Sequence, residues 1–333
     1  MTKQILIYAE VTRENYIHTA FFELANKAQE LAAKLDNAEV NALLISKKGL
    51  ADEYKEAFVN SGIDKIYAIE DDRFEIYSTD YFATAAVETI KEIQPEILLI
   101  GATNQGRDLA PRISTALHTG LTADCTGLDI NDKGQLAATR PTFGGQLMAT
   151  ILCKNLPQMA TVRPKVFKPA EKNNVKQTEI IHKSVNLDSI PKSIEIVEFH
   201  KKLTDSLNEL DSAEIIVAGG RGMKNEEGFR LLREFADKIG AAVGASRVAV
   251  EMGLASHEMQ IGQTGKTVTP KLYIACGISG AIQHTIGMKN SNKIIAVNTD
   301  ANAPIFDIAD YGMVGDAFEI LPELIKYNFK TDM

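Results

Sequence analysis

Apolar residues in the first half of the chain fall into two alternating patterns. The runs at 5–9, 40–46 and 96–101 are short and nearly unbroken, which fits strands buried on both faces. Between and after them, residues 21–35, 81–93 and 108–117 space their apolar positions three and four apart. Leu24, Ala28, Leu31 and Leu35 form one such helical face. Strand and helix in alternation predict βαβ units on a parallel sheet. From 127 to 166 the pattern shifts to short alternating runs with Thr, Gly and Pro, such as 146–153. That stretch predicts antiparallel strands completing a first domain.

The pattern breaks between 168 and 211, where polar segments flank one candidate strand at 193–199. It then resumes with strands at 214–219, 242–245, 272–276 and 294–298. Asn225 can cap a helix whose first turn holds Glu226 and Glu227, and whose buried face is Phe229, Leu232, Ala236 and Ile239 before Gly240 ends it. Residues 314–320 predict a last strand, followed by a helix from Pro322. The expected fold is α/β with two domains, each a mostly parallel sheet flanked by helices. Residues 1–195 form the first and 196–211 a linker; 212–333 form a doubly wound second domain. Ligands of such sheets sit beyond the carboxyl ends of the strands.

A length of 333 residues suits two domains, and 45% apolar with 24% charged residues is ordinary globular composition. The net charge of −8 counts against a nucleic-acid partner. Cys125, Cys153 and Cys276 form no C-x-x-C pair, so zinc and dithiol motifs are absent. So sparse a set suits a reducing compartment. The start of the chain carries no leader pattern and no run reaches a membrane span, so a cytoplasmic location without membrane insertion is expected.

Candidate chemistry gathers in the second half. Strand ends carry Gly219-Gly-Arg-Gly222, Gly244-Ala-Ser-Arg247, Gly277-Ile-Ser-Gly-Ala-Ile-Gln-His284 and Asn298-Thr-Asp300, and a separate loop reads Gln260-Ile-Gly-Gln-Thr-Gly-Lys266. Glycine admits close approach of a ligand to the backbone, and N–H groups at a helix start attract phosphate. One such loop is an ordinary turn. Five together suggest an extended ligand with a pyrophosphate, although none fits G-x-G-x-x-G or a Walker loop.

Arg221 suits a phosphate contact, or equally a surface ion pair. Arg247 should emerge at the sheet edge, where a cation 4 Å from a reduced ring at an effective dielectric of 20 contributes about 4 kcal/mol. At about 59 mV per tenfold in a one-electron equilibrium, that raises the potential of such a ring by on the order of 100 mV. His284 falls in the first turn of a helix, where the helix start lowers its pKa and favours a neutral hydrogen-bonding ring; a capping or solvent histidine is the plainer alternative. Ser246 and Thr264 can equally be turn hydroxyls. His18, His118, His182, His200 and His257 are scattered and pair into no metal site. No G-x-S-x-G, H-E-x-x-H or nucleophile–base pattern occurs, which favours a cofactor carrier.

The runs Gly244-Ala-Ser-Arg-Val-Ala-Val250, 260–266 and Leu272-Tyr-Ile-Ala-Cys-Gly-Ile-Ser-Gly-Ala-Ile-Gln-His284 resemble, in order and spacing, the FAD-binding region of electron transfer flavoprotein alpha subunits. Ala303-Pro-Ile-Phe306 and Ala309-Asp-Tyr-Gly312 extend the likeness. Thr122-Ala-Asp-Cys-Thr126, Arg140-Pro-Thr-Phe-Gly-Gly145 and Pro157-Gln-Met-Ala-Thr-Val-Arg-Pro164 resemble the family's first domain. Cys276 departs from the small apolar residue expected there. The resemblance implies FAD lined by Arg221, Ser246, Arg247, Ile261, Gly262, Gln263, Thr264, Ser279, Gly280, Ala281, Ile282, Gln283, His284, Asn298, Asp316 and Ala317. Arg247 and Thr264 would sit by the redox ring, His284 near its pyrimidine end, and Asn298 with Asp316 at the adenosine half.

The resemblance also implies a beta subunit packed on the first domain and exchange of electrons with acyl-CoA dehydrogenases or another dehydrogenase. The family includes simple shuttles and NADH-dependent bifurcating complexes whose beta subunit holds a second FAD. Two other readings compete. A nicotinamide-dependent dehydrogenase lacks its fingerprint here. A nucleotide-binding regulatory module without redox role would bind adenosine phosphate and no flavin.

Overall fold

A central strand with helices on both sides must bury side chains in both directions, and β1 (Gln4–Ala9) does so. Its Ile5, Ile7 and Ala9 enter one apolar cluster, while Leu6 and Tyr8 enter the other. The computed structural model describes residues 2–142, 147–169, 176–188, 190, 210 and 213–327. The chain divides into two compact units, residues 1–198 and 199–333.

In the first unit β1 is followed by α1 (Thr19–Ala33), β2 (Glu39–Ser46), α2 (Leu50–Glu53), α3 (Lys55–Asn60), β3 (Lys65–Glu70), α4 (Thr79–Ile93), β4 (Ile97–Gly101) and α5 (Asn104–Ala116). Next come β5 (Leu121–Cys125), β6 (Gly127–Ile130), β7 (Leu136–Thr142), β8 (Leu147–Leu152), β9 (Gln158–Val162) and β10 (Glu179–Lys183). Seven strands form a parallel sheet in the order β10-β3-β2-β1-β4-β9-β5. Strands β6, β7 and β8 form a separate antiparallel sheet, as the change of pattern suggested.

The expectation for 127–166 was wrong at its end. β9 is buried throughout and lies parallel between β4 and β5. Its run Gln-Met-Ala-Thr-Val is the sequence of a central strand rather than of a half-exposed one. α5 begins earlier than expected because Thr103 caps it, its Oγ1 accepting from the Gly106 N–H at 2.9 Å.

The second unit holds β11 (Ile215–Gly219), α6 (Glu226–Ile239), β12 (Ala242–Ala245), α7 (Arg247–Glu251), β13 (Leu272–Cys276), α8 (Ile282–Thr285), β14 (Lys293–Asn298), β15 (Tyr311–Val314) and α9 (Ala317–Lys326). Its five strands are parallel in the order β12-β11-β13-β14-β15. The order reverses between β11 and β13, where such sheets open a crevice. Asn225 caps α6 as expected, its side chain accepting from the Gly228 N–H at 3.1 Å.

The last strand expected at 314–320 is displaced: it occupies 311–314. Asp316 starts a helix at once by accepting the Phe318 N–H at 3.0 Å, so Pro322 lies inside α9 rather than opening it. The strand expected at 193–199 lies outside the described residues, as does the 196–211 linker apart from Leu210. No described helix is long and apolar enough to cross a membrane.

Candidate functional site

The loops after β11 and β13 lie directly on one another. Gly220 donates to the Cys276 carbonyl at 2.9 Å and Gly222 to the Gly277 carbonyl at 3.0 Å. A Cβ on Gly220 would stand 2.2 Å from the Gly277 carbonyl oxygen, and one on Gly280 would stand 2.2 Å from the Ile305 nitrogen. These contacts are closer than any real side-chain carbon allows. Ligand approach was the reason expected for these glycines. Loop-on-loop packing at the crevice is the reason the structure shows.

Ser246 links the next loop to this pair. Its N–H donates to the Gly219 carbonyl at 2.9 Å, and its Oγ accepts the Ala249 N–H at 3.3 Å, capping α7. Arg247 is therefore delivered at the sheet edge, exposed, with its Nε 2.8 Å from Glu251 Oε1. Arg221 is exposed and has no ion pair with a described residue.

The 260–266 loop closes over the same edge. Ile261 donates to the Ala245 carbonyl at 2.9 Å, and Gln263 donates to the Gln283 carbonyl at 2.7 Å, which ties the loop to α8. The Gln260 side-chain amide donates to Thr264 Oγ1 at 3.0 Å. Ile261, Gly262 and Gly280 are buried, whereas Gln263, Thr264, Ser279, Ala281, Ile282 and Gln283 face outward. Ile282 is 63% exposed, unusual for an isoleucine.

His284 is only 8% exposed. Its Nε2 lies 3.0 Å from the hydroxyl of Tyr273, itself fully buried on β13. Its Nδ1 is buried with no partner in hydrogen-bond geometry. Burial pushes the His284 pKa down to about 4, opposed only in part by the nearby Ile261 backbone. The neutral ring was expected, but its cause differs. α8 has four residues and little dipole, so desolvation does the work.

Asn298 and Asp316 are half-buried and already bonded. Asn298 donates to the Ile278 carbonyl at 2.9 Å and accepts the Asp300 N–H at 3.0 Å. Asp316 Oδ2 meets Lys224 Nζ at 2.9 Å, and this cation holds the carboxyl below its ordinary range, helped by the Phe318 N–H. Ala317, the next residue, is buried in the first turn of α9.

Every residue named for the site from the sequence thus falls at a strand end, in a loop or in a short helix start at the carboxyl edge of the five-stranded sheet. Sequence reasoning missed Tyr273, Lys224 and Glu251. Glu251 was findable as an acid four residues after Arg247 on a helix. Tyr273 reads as an ordinary strand aromatic, and nothing in its neighbours announces the histidine. Two open depressions of about 430 and 550 Å³ lie elsewhere, around α4 and α5, where Asp80 and Arg112 are already paired. No cluster of three or more metal-ligating side chains occurs among the described residues.

The electron transfer flavoprotein domain profile matches residues 5–188, and the electron transfer flavoprotein FAD-binding domain profile matches residues 209–289. The chain belongs to the electron transfer flavoprotein alpha-subunit family. It is 45% identical over 325 residues to the electron transfer flavoprotein subunit alpha of Thermoanaerobacterium thermosaccharolyticum, covering 97% of both chains. It is 46% identical over 331 residues to the alpha subunit of Megasphaera elsdenii, covering 97% of this chain and 95% of that one. It is also 42% identical to the lactate dehydrogenase (NAD(+),ferredoxin) subunit LctC of Acetobacterium woodii, covering 94% of this chain and 74% of the relative.

The cofactor of this electron transfer flavoprotein is FAD, and the match to the FAD-binding domain lies within the second unit. The residues present fit that group. The buried Nδ1 of His284 has no partner in hydrogen-bond geometry, Arg221 has no described carboxylate partner, and Gln263, Thr264, Ser279, Ala281, Ile282 and Gln283 are exposed in the two neighbouring segments.

Proposed function

We propose that FAD lies extended along the carboxyl edge of the second sheet, across the crevice between β11 and β13. The chain then acts as the alpha half of a two-subunit electron carrier. The observation that carries this placement is the unpartnered, buried Nδ1 of His284 beside the 261–264 loop. A buried N–H without an acceptor costs about 1–3 kcal/mol, and a carbonyl on the cofactor would remove that cost.

Bound FAD supplies one- and two-electron transfer. The chain's own residues do the rest. Arg221 meets the pyrophosphate charge. Arg247 places a cation by the ring and favours the negative charge that reduction adds, once it turns from Glu251. Thr264 stands near the same ring, and neutral His284 donates to its pyrimidine end. Asn298 and Asp316 hold the loops at the adenosine half, and Asp316 keeps one oxygen engaged by Lys224.

A beta subunit is the partner we assign to the first unit. Strand β8 is the open edge of the antiparallel sheet, and Leu147, Met148, Ile151 and Leu152 are 40–59% exposed on it. An apolar edge strand of this kind invites a covering chain. Electrons would be exchanged with an acyl-CoA dehydrogenase or another dehydrogenase. The relative named as a subunit of a lactate dehydrogenase using NAD(+) and ferredoxin favours considering the bifurcating form as well.

The test is an absorbance spectrum of the chain purified with its beta subunit, followed by stepwise reduction. Flavin bands bleached in two one-electron stages support the shuttle, and two flavins per complex with reduction by NADH support bifurcation. A complex that stays colourless after FAD is added would end the proposal and favour the nucleotide-binding module.

A further inference from the structure

We propose that Tyr273 sets the tautomer of His284, and so decides which hydrogen bond that ring offers the flavin. The inference rests on the FAD placement above and deepens it. A neutral imidazole has one donor nitrogen and one acceptor nitrogen. Burial keeps this ring neutral, so the partner of either nitrogen fixes the role of the other.

The partner of Nε2 is the Tyr273 hydroxyl at 3.0 Å. Tyr273 is fully buried, and this is the hydrogen bond its hydroxyl makes among the described residues. If Nε2 donated, the phenolic hydrogen would be buried without an acceptor, which is unfavourable. If the phenol donates, Nε2 accepts and the proton sits on Nδ1. The Tyr273 contact therefore selects Nδ1–H. That leaves one donor without a partner, at the base of the 261–264 loop where the flavin is placed. Tyr273 is not one of the residues assigned to line the cofactor. It acts through His284, from near the start of β13, and is a positioning residue.

The experiment is long-range ¹H–¹⁵N NMR of histidine-labelled chain in complex with its beta subunit, without and with FAD, for wild type and Tyr273→Phe. The wild type should show His284 protonated at Nδ1, and the variant a mixture of both tautomers. In the FAD-loaded complex, Tyr273→Phe should weaken the first one-electron reduction about tenfold, a fall of about 59 mV. In a His284→Asn background, Tyr273→Phe should change the potential no further. An Nδ1–H tautomer unchanged in Tyr273→Phe would overturn the proposal. So would additive shifts in the double variant, which would mean that Tyr273 acts on packing alone. If FAD fails to bind the wild type, the placement of the cofactor fails, while the tautomer in the FAD-free complex still judges Tyr273.

Discussion

The two sheets of this chain share a design and differ at their carboxyl edges. Both are parallel, and both reverse their strand order at a central pair: β1 and β4 in the first unit, β11 and β13 in the second. In the first, side chains fill the reversal point. Glu10 bonds to Thr103, Gln105 donates to the Tyr8 hydroxyl at 2.7 Å, and Tyr77 donates to Asp108 at 2.7 Å. A short bridge between Val11 and Ile17 closes over the strand end. In the second, glycine backbones pack on each other, and Arg221 and Arg247 stand exposed beside them. The same topology therefore yields a sealed edge and an open one, and the residues at the strand ends decide which.

The largest effect that would sharpen this contrast comes from Gly220→Ala. The added carbon would stand 2.2 Å from backbone, so about 3 kcal/mol of stability and the FAD should be lost together. Gly49→Ala in the first unit, at a φ of +91° with nothing within 4 Å, should cost only about 1 kcal/mol and leave FAD in place. Thermal unfolding and flavin content measure both. Equal losses at the two sites would break the comparison.

Arg247→Ala should lower the flavin potential by on the order of 100 mV. Glu251→Gln should raise it by less, since it only frees the guanidinium. A redox titration of Arg247→Ala unchanged within about 20 mV, far below that estimate, would remove Arg247 from the ring.

His284 makes the second unit sensitive to pH. The unfolded chain binds a proton near 6.5 and the folded ring only near 4. Unfolded chains thus hold more protons in this window, so stability present above pH 6.5 falls as pH drops towards 4. Between pH 7 and 5 the FAD-free protein should lose about 2 kcal/mol, and His284→Gln should not. Urea unfolding followed in the second unit checks this. Glu10 carries the opposite sign, since burial raises its pKa. Its penalty grows as pH rises above the ordinary carboxylate range, so Glu10→Gln should stabilise the first unit at pH 7 and not at pH 4, with no change in flavin potential.

The sequence revealed the second edge better than the first for a physical reason. Glycine, serine and arginine at strand ends announce themselves because few backbones need them. β3, β5 and β10 went unread because Lys65–Glu70, Leu121–Cys125 and Glu179–Lys183 mix polar residues into short runs. Their strand character comes from pairing with neighbours. The last strand was misplaced because 314–320 is apolar and β-branched enough to suggest extension, while a single capping carboxylate at Asp316 turned it helical. The Tyr273–His284 contact depends on two side chains meeting across separate elements, which no spacing rule encodes.

Cys276 ends β13 fully buried, immediately before the loop glycine Gly277. Burial pushes its thiol pKa up to about 12. At pH 7 only about one molecule in 10⁵ would carry the thiolate, the form that peroxide attacks. A protein that passes single electrons meets reactive oxygen as a by-product, and a thiol beside the proposed flavin site would ordinarily be a weak point. Here burial should keep that sulfur unreactive. Peroxide treatment followed by peptide mass spectrometry should find oxidation at partly exposed Cys153 while Cys276 stays reduced.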